Sequence, residues 1–294
     1  MRSTSPTSSD LALPLRGGGG EPVDFYRTIT SHGLAHLPPA ALDREARTYS
    51  VRLRIGKKPV LVTLREQNGE LRIDPEARLS ERERAHVRNA VSRMFRLGDD
   101  LTPFYAAIAS DPLLQWAAAG AGRLLASPTV FEDVVKTICT TNCAWSATVR
   151  MTSALVALGE GTFPDAALLA QTPERWYADV ARMGYRGPYV RAIAKRVASG
   201  ELDLERLLPR VGLSDDQVEE ALLALPGVGP YAAAHIMQLL GRHEQLILDS
   251  WTRPTFLRIA KKKQAKDSTI ARAFARYGRY AGLAFWLFLT HDWE

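Results

Sequence analysis

Between Leu225 and Asp249 the chain has little conformational freedom. It reads Leu225-Pro226-Gly227-Val228-Gly229-Pro230-Tyr231, then a helix-forming run from Ala232 to Leu240, a stop at Gly241, and Leu246-Ile247-Leu248-Asp249-Ser250-Trp251. Two glycines around one valine predict a very tight turn, and Pro230 suits the first position of a helix, where its missing N–H costs nothing. The first-turn N–H groups then point outward without partners. Preceded by glycines that let a ligand approach the backbone, they form an anion site suited to a phosphate, and no base sequence is read there. Asp249 lies twenty residues after Gly229. Taken alone, it reads equally well as the cap of the next helix.

Bulk properties narrow the class. A chain of 294 residues can bury a sizeable core and hold one to three domains. Lys plus Arg number 38 against 32 Asp plus Glu, a net +6 that suits a polyanionic partner. Two cysteines, Cys139 and Cys143, fall four apart in what reads as one helix, and offer neither a disulfide framework nor four ligands for zinc or iron–sulfur. His235 and His243 have no companions at ligand spacing, so no metal is expected. No apolar run approaches the ~20 residues needed to span a membrane, Leu283–Leu289 being too short, and no signal-peptide core opens the chain. A monomeric, cytoplasmic protein with reduced thiols is expected.

In order, residues 1–24 are rich in Ser, Thr, Pro and Gly, ending in Gly17-Gly18-Gly19-Gly20, and read as a disordered leader. Residues 25–98 switch towards period two. Tyr49–Ile55, a Gly56-Lys57-Lys58-Pro59 turn, Val60–Leu64, an Asn68-Gly69 turn and Leu71–Ile73 predict an antiparallel sheet, with Arg52 and Arg54 on its solvated face. Ser80 and Glu83 form a capping-box pattern ahead of Val87, Val91, Met94 and Phe95. From residue 99 to 294 the pattern is helical: roughly 103–110, 112–119, 128–158, 165–170, 173–183, 188–199, 214–225 and 230–240, with two more after Asp249. The class is therefore α+β, predominantly α.

The hairpin followed by its aspartate resembles the helix-hairpin-helix DNA glycosylase superfamily, close to its 3-methyladenine glycosylase II and 8-oxoguanine glycosylase group. The resemblance implies an N-terminal antiparallel sheet, a helical body of two subdomains, and a base-excision repair enzyme acting on duplex DNA that carries a damaged base. It makes Asp249 the catalytic carboxylate, supporting an oxocarbenium-like sugar and the attacking water. It makes Gly227, Val228 and Gly229 a phosphate grip. The cysteine count excludes the cluster-bearing relatives. Two residues after the last hairpin glycine, bifunctional members carry a lysine that forms a Schiff base. Here the residue is Tyr231. A phenol forms no imine, so a monofunctional enzyme is implied. An aromatic there resembles the alkylation-repair branch, whose electron-rich pocket suits a cationic purine, although Tyr231 reads equally as packing between helices.

Two further segments resemble parts that touch the DNA. Ile138-Cys139-Thr140-Thr141-Asn142 looks like the helix and loop whose asparagine fills the gap left by a flipped base. Gly184-Tyr185-Arg186 looks like the wedge, Tyr185 intercalating and Arg186 reaching the orphaned base. These resemble the oxidised-guanine branch more than the alkylation branch, but Ala147 stands where that branch has a second arginine. Trp145 and Tyr277 fall where pocket aromatics occur, and read equally as core. No cofactor is implied beyond a monovalent cation held by hairpin carbonyls. Two alternatives stay open: an oxidised-guanine glycosylase without lyase action, and a non-catalytic DNA-binding module built on the hairpin.

Overall fold

The computed structural model describes residues 11–56 and 58–293. Residues 1–10 of the expected leader, and Lys57 of the expected turn, lie outside the described residues. The N-terminal part is a five-stranded antiparallel sheet: β1 (Ala12–Pro14), β2 (Ala40–Asp43), β3 (Thr48–Ile55), β4 (Lys58–Gln67) and β5 (Glu70–Pro75), in the order β1-β5-β4-β3-β2. Strict alternation on β3 turns Tyr49, Val51, Leu53 and Ile55 inward. Their cover is α1 (Phe25–Ile29) and α2 (Glu81–Met94), the latter opened by the Ser80–Glu83 capping box and burying Val87, Val91 and Met94. Asn68 and Gly69 both take positive φ, as their two-residue hairpin requires. The outer face is more than solvated. Arg54 Nη2 donates to Gly159 O at 2.8 Å and to Thr162 Oγ1 at 2.7 Å, tying the sheet to the helical body.

The leader expectation fails from residue 11 onward. β1 pairs with β5, and Glu21 closes a buried ion pair with Arg123, a guanidinium whose side chain has no exposed surface. Glu21 also accepts N–H bonds from Leu101 at 2.8 Å and Gly19 at 3.0 Å. The glycine run exists for close approach: a Cβ on Gly18 would lie 2.4 Å from the Gly98 carbonyl oxygen, and one on Gly17 would strike Arg123 and Glu21. Composition alone cannot separate a flexible glycine tract from one pressed against backbone.

The helical body follows: α3 (Thr102–Ile108), α4 (Val130–Thr140), α5 (Trp145–Leu158), α6 (Ala166–Gln171), α7 (Glu174–Asp179), α8 (Arg186–Ala198), α9 (Asp215–Leu223), α10 (Pro230–Leu240), α11 (Thr252–Ile259), α12 (Asp267–Phe274) and α13 (Ala281–Thr290). The single helix expected over 128–158 is two. Asn142 turns left-handed at φ 47°, and Thr148 Oγ1 donates to Cys139 O at 2.9 Å across the corner. Cys139 therefore ends on α4 and Cys143 in the corner, both as free thiols. Three helices follow Asp249 where two were expected.

Two cores fill this body. One draws on α4 to α10, the other on α3 and α11 to α13. Helix α10 belongs to both. Ile236 and Met237 face the first, Ala234 and Leu239 the second, and every residue from Ala232 to Leu240 is buried. Tyr231, at its start, packs against both cores.

The Glu21–Arg123 pair gives a direct test. Removing one partner of a buried pair leaves an uncompensated charge, so Glu21→Ala should cost about 3–5 kcal/mol in urea unfolding. A cost below about 1 kcal/mol would mean the segment is not stapled. Burial pushes the Glu21 carboxyl up, but the Leu101 N–H and the Arg123 guanidinium more than offset this, so its pKa is lowered overall. Its stabilisation should accordingly be complete above the ordinary glutamate pKa and fade as pH falls through the lowered value.

Candidate active site

At the hairpin, Gly227 sits at φ 83°, and a Cβ there would lie 2.7 Å from the ring of Tyr189. Only glycine satisfies both conditions. Val228 is the buried anchor between the glycines, its N–H donating to Leu225 O at 3.2 Å. Gly229 differs. Its backbone is extended as it caps α10, and an added Cβ would meet nothing within 4 Å. The surface at the start of α10 is therefore open, with helix N–H groups directed at it.

Asp249 is half-buried just before α11. Its Oδ1 accepts the N–H groups of Trp251 at 2.8 Å and Thr252 at 2.7 Å, while its own N–H donates to Thr252 Oγ1 at 2.8 Å. The carboxylate caps the helix with one oxygen and leaves Oδ2 uncommitted among the described residues. Among the described residues no ion pair involves it. Arg253, close enough to feel its charge, is held by both oxygens of Asp267 at 2.8 and 2.9 Å.

Two rings on α10, Tyr231 and His235 one turn apart, feel the charge of this carboxylate. Burial raises the Tyr231 pKa, so the phenol stays neutral. Edge-to-face contacts link Tyr231 to His235 at 6.2 Å and His235 to Trp286 at 6.4 Å, and Trp251 leans on Trp286 at 5.8 Å and on Trp293 at 5.4 Å.

No protein-family profile matches the chain. A probable N-glycosylase/DNA lyase of Methanothermobacter thermautotrophicus is 27% identical over 256 residues, 76% of this chain and 79% of that protein. The DNA-3-methyladenine glycosylase of Bacillus subtilis is 26% identical over 167 residues, and the match spans about half of either protein, 52% and 54%. The solved 3-methyladenine DNA-glycosylase of Archaeoglobus fulgidus superposes with a TM-score of 0.70 at 19% identity, over 96% of this chain and 98% of that one. The chain is therefore similar in sequence to DNA glycosylases and shares their fold.

The two segments expected to face DNA form one clamp. Asn142 Nδ2 donates to the Tyr185 hydroxyl at 3.3 Å, and Tyr185 packs edge-on against Tyr189 at 5.9 Å. Tyr189 in turn fills the space that Gly227 leaves. Asn142, Tyr185, Tyr189 and the hairpin therefore make a continuous strip, and both Asn142 and Tyr185 are exposed. Arg186 departs from the expected role. It is buried, its Nε donating to Thr141 O at 3.1 Å and Nη2 to the same oxygen, so it fastens the wedge to the Asn142 corner instead of reaching towards an orphaned base.

The expected pocket aromatics are corrected in part. Tyr277 is buried in the C-terminal core, its hydroxyl donating to Asp111, which also pairs with Arg276 at 2.6 Å. Trp286 on α13 instead faces His235, its indole N–H donating to Ser31 O at 2.9 Å. Trp145 is exposed and covers Gly33, whose Cβ would lie 3.1 Å from the indole. The sequence reading missed Trp251, Trp286, Trp293 and His235. Trp251 lies two residues after Asp249, a usable signal, whereas Trp286 is hidden in an apolar run that reads as plain core.

The two glycines should part company on substitution. Gly227→Ala should destabilise the fold by about 1–3 kcal/mol through its left-handed backbone and the Tyr189 clash. Gly229→Ala should leave stability within about 0.5 kcal/mol yet weaken binding to duplex DNA. Urea unfolding beside DNA titration at fixed salt checks both, and equal stability losses would contradict the geometry.

Proposed function

We propose that this chain is a monofunctional DNA glycosylase that hydrolyses the N-glycosidic bond of alkylated purines extruded from duplex DNA. One observation carries the reading: Asp249 holds an uncommitted carboxylate oxygen with neutral Tyr231 and His235 in its field, and the residue two after the last hairpin glycine is Tyr231 and not an amine. The N–H groups at the start of α10 would grip a backbone phosphate. Tyr185 and Asn142 would fill the space vacated by the extruded nucleotide. Stacking on Tyr231 and the tryptophans suits a base made cationic by alkylation, each cation–π contact contributing about 0.5–2 kcal/mol. Such a base departs without a general acid. Asp249 Oδ2 then steadies the positive sugar and takes a proton from the attacking water, while the Trp251 and Thr252 N–H groups fix its orientation.

An oxidised-guanine glycosylase is the second reading, favoured by the Asn142 and Tyr185 clamp. Oxidised guanine is neutral and would gain nothing from cation–π attraction, and Tyr231 removes the lyase step. The curated relatives divide in the same way, one named as a probable lyase and the other as a 3-methyladenine glycosylase.

Duplexes carrying one lesion each decide between these readings. Methylated purines should be released, leaving an abasic site, and borohydride should trap no covalent protein–DNA adduct. Release of oxidised guanine alone, or a trapped adduct, would overturn the assignment. DNA binding without release of any base would favour a non-catalytic module.

A further inference from the structure

Buried polar atoms in a folded chain are normally paired, and those left open mark a place where water or a ligand completes the bonding. Two histidines break the rule together. His235 on α10 is 3% exposed, and neither ring nitrogen has a hydrogen-bond partner. His32 is 2% exposed and meets it edge-to-face, ring centres 5.6 Å apart. His32 Nε2 lies 2.9 Å from Leu125 O, and a carbonyl can only accept, so Nε2 carries the proton. Its Nδ1 is then a lone pair, and it too is unpartnered. Two open nitrogens on His235 thus sit one turn from Tyr231 and within the field of Asp249, with the open Nδ1 of His32 packed behind them.

We propose that His235 is the specificity-determining residue for the extruded purine, hydrogen-bonding its edge, with His32 packed edge-on behind it as a positioning residue that holds the His235 ring in place. The inference rests on Asp249 being the reaction centre. An aromatic wall by itself accepts any flat cationic base. An imidazole behind it adds one donor and one acceptor, which reward purines with a matching amino or carbonyl group and penalise those that leave a nitrogen unpaired. Burial holds the His235 pKa at about 4 and that of His32 at about 3, so both rings are neutral at neutral pH and repel no cationic base. The substrate class narrows accordingly to alkylated purines with an intact amino- or carbonyl-bearing edge.

The test is single-turnover release of 7-methylguanine, 3-methyladenine and 7-methylhypoxanthine, the last lacking the guanine amino group, from otherwise identical duplexes. His235→Phe keeps the ring and removes both nitrogens. It should compress the wild-type spread among the three bases by about 10-fold or more, with the melting temperature held to within a few degrees. His32→Phe should act in the same direction, and the double variant should add little to His235→Phe, because one residue works through the other. If His235→Phe slows all three bases in parallel, or leaves their ratios unchanged, the histidine only fills space or holds water, and the proposal falls. Failure of the wild type to release any of the three would instead overturn the assignment of the reaction centre.

Discussion

The arrangement depends on the burial of α10 from both sides. A helix on a protein surface keeps one polar face, but here each residue from Ala232 to Leu240 is enclosed, shared between a core built by α4 to α10 and one built by α3 and the C-terminal helices. The helix cannot shift without disturbing both. Its N-terminus presents the hairpin, its first turn presents Tyr231 and its second His235, and after Gly241 the chain returns to place Asp249 beside them. The hairpin, Tyr231 and His235 are thereby held by one rigid element, and rigidity is what the proposed reaction demands of groups that position a substrate.

Around that axis the DNA-facing parts are coupled through packing. Gly227 has no side chain because Tyr189 occupies the space, Tyr189 supports Tyr185, and Tyr185 receives the Asn142 amide. Arg186 fastens the corner from behind. The clamp resembles the oxidised-guanine branch, while the rings about Asp249 suit alkylated bases. In the proposed reaction, chemistry at the sugar rests on Asp249 and Tyr231, and it weighs more between the two branches than a clamp proposed only to hold the duplex open.

What could be read from the sequence was local. The hairpin, the start of α10 at Pro230, the Ser80–Glu83 capping box and the Asn68-Gly69 turn each depend on residues within a few positions of one another, and each stands where it was expected. The misses all depend on distant partners. The glycine run was read as disordered because Arg123, about a hundred residues away, is what orders it. Arg186 was given to DNA because the Thr141 carbonyl is visible only once the chain is folded. Tyr277 was chosen over Trp286 because nothing in their local sequence distinguishes a ring bonded to Asp111 from one facing His235. Asp249 was legible as a residue. That it caps α11 with one oxygen and keeps the other open was not.

The central claim is that this open oxygen carries the chemistry. Single-turnover base release by Asp249→Asn, at saturating protein on a duplex the wild type processes, tests it directly. The amide keeps an oxygen for the Trp251 and Thr252 N–H groups, so folding and DNA affinity should be unchanged while the rate falls by about 100-fold or more. A rate within a few-fold of wild type, with binding intact, would contradict the account.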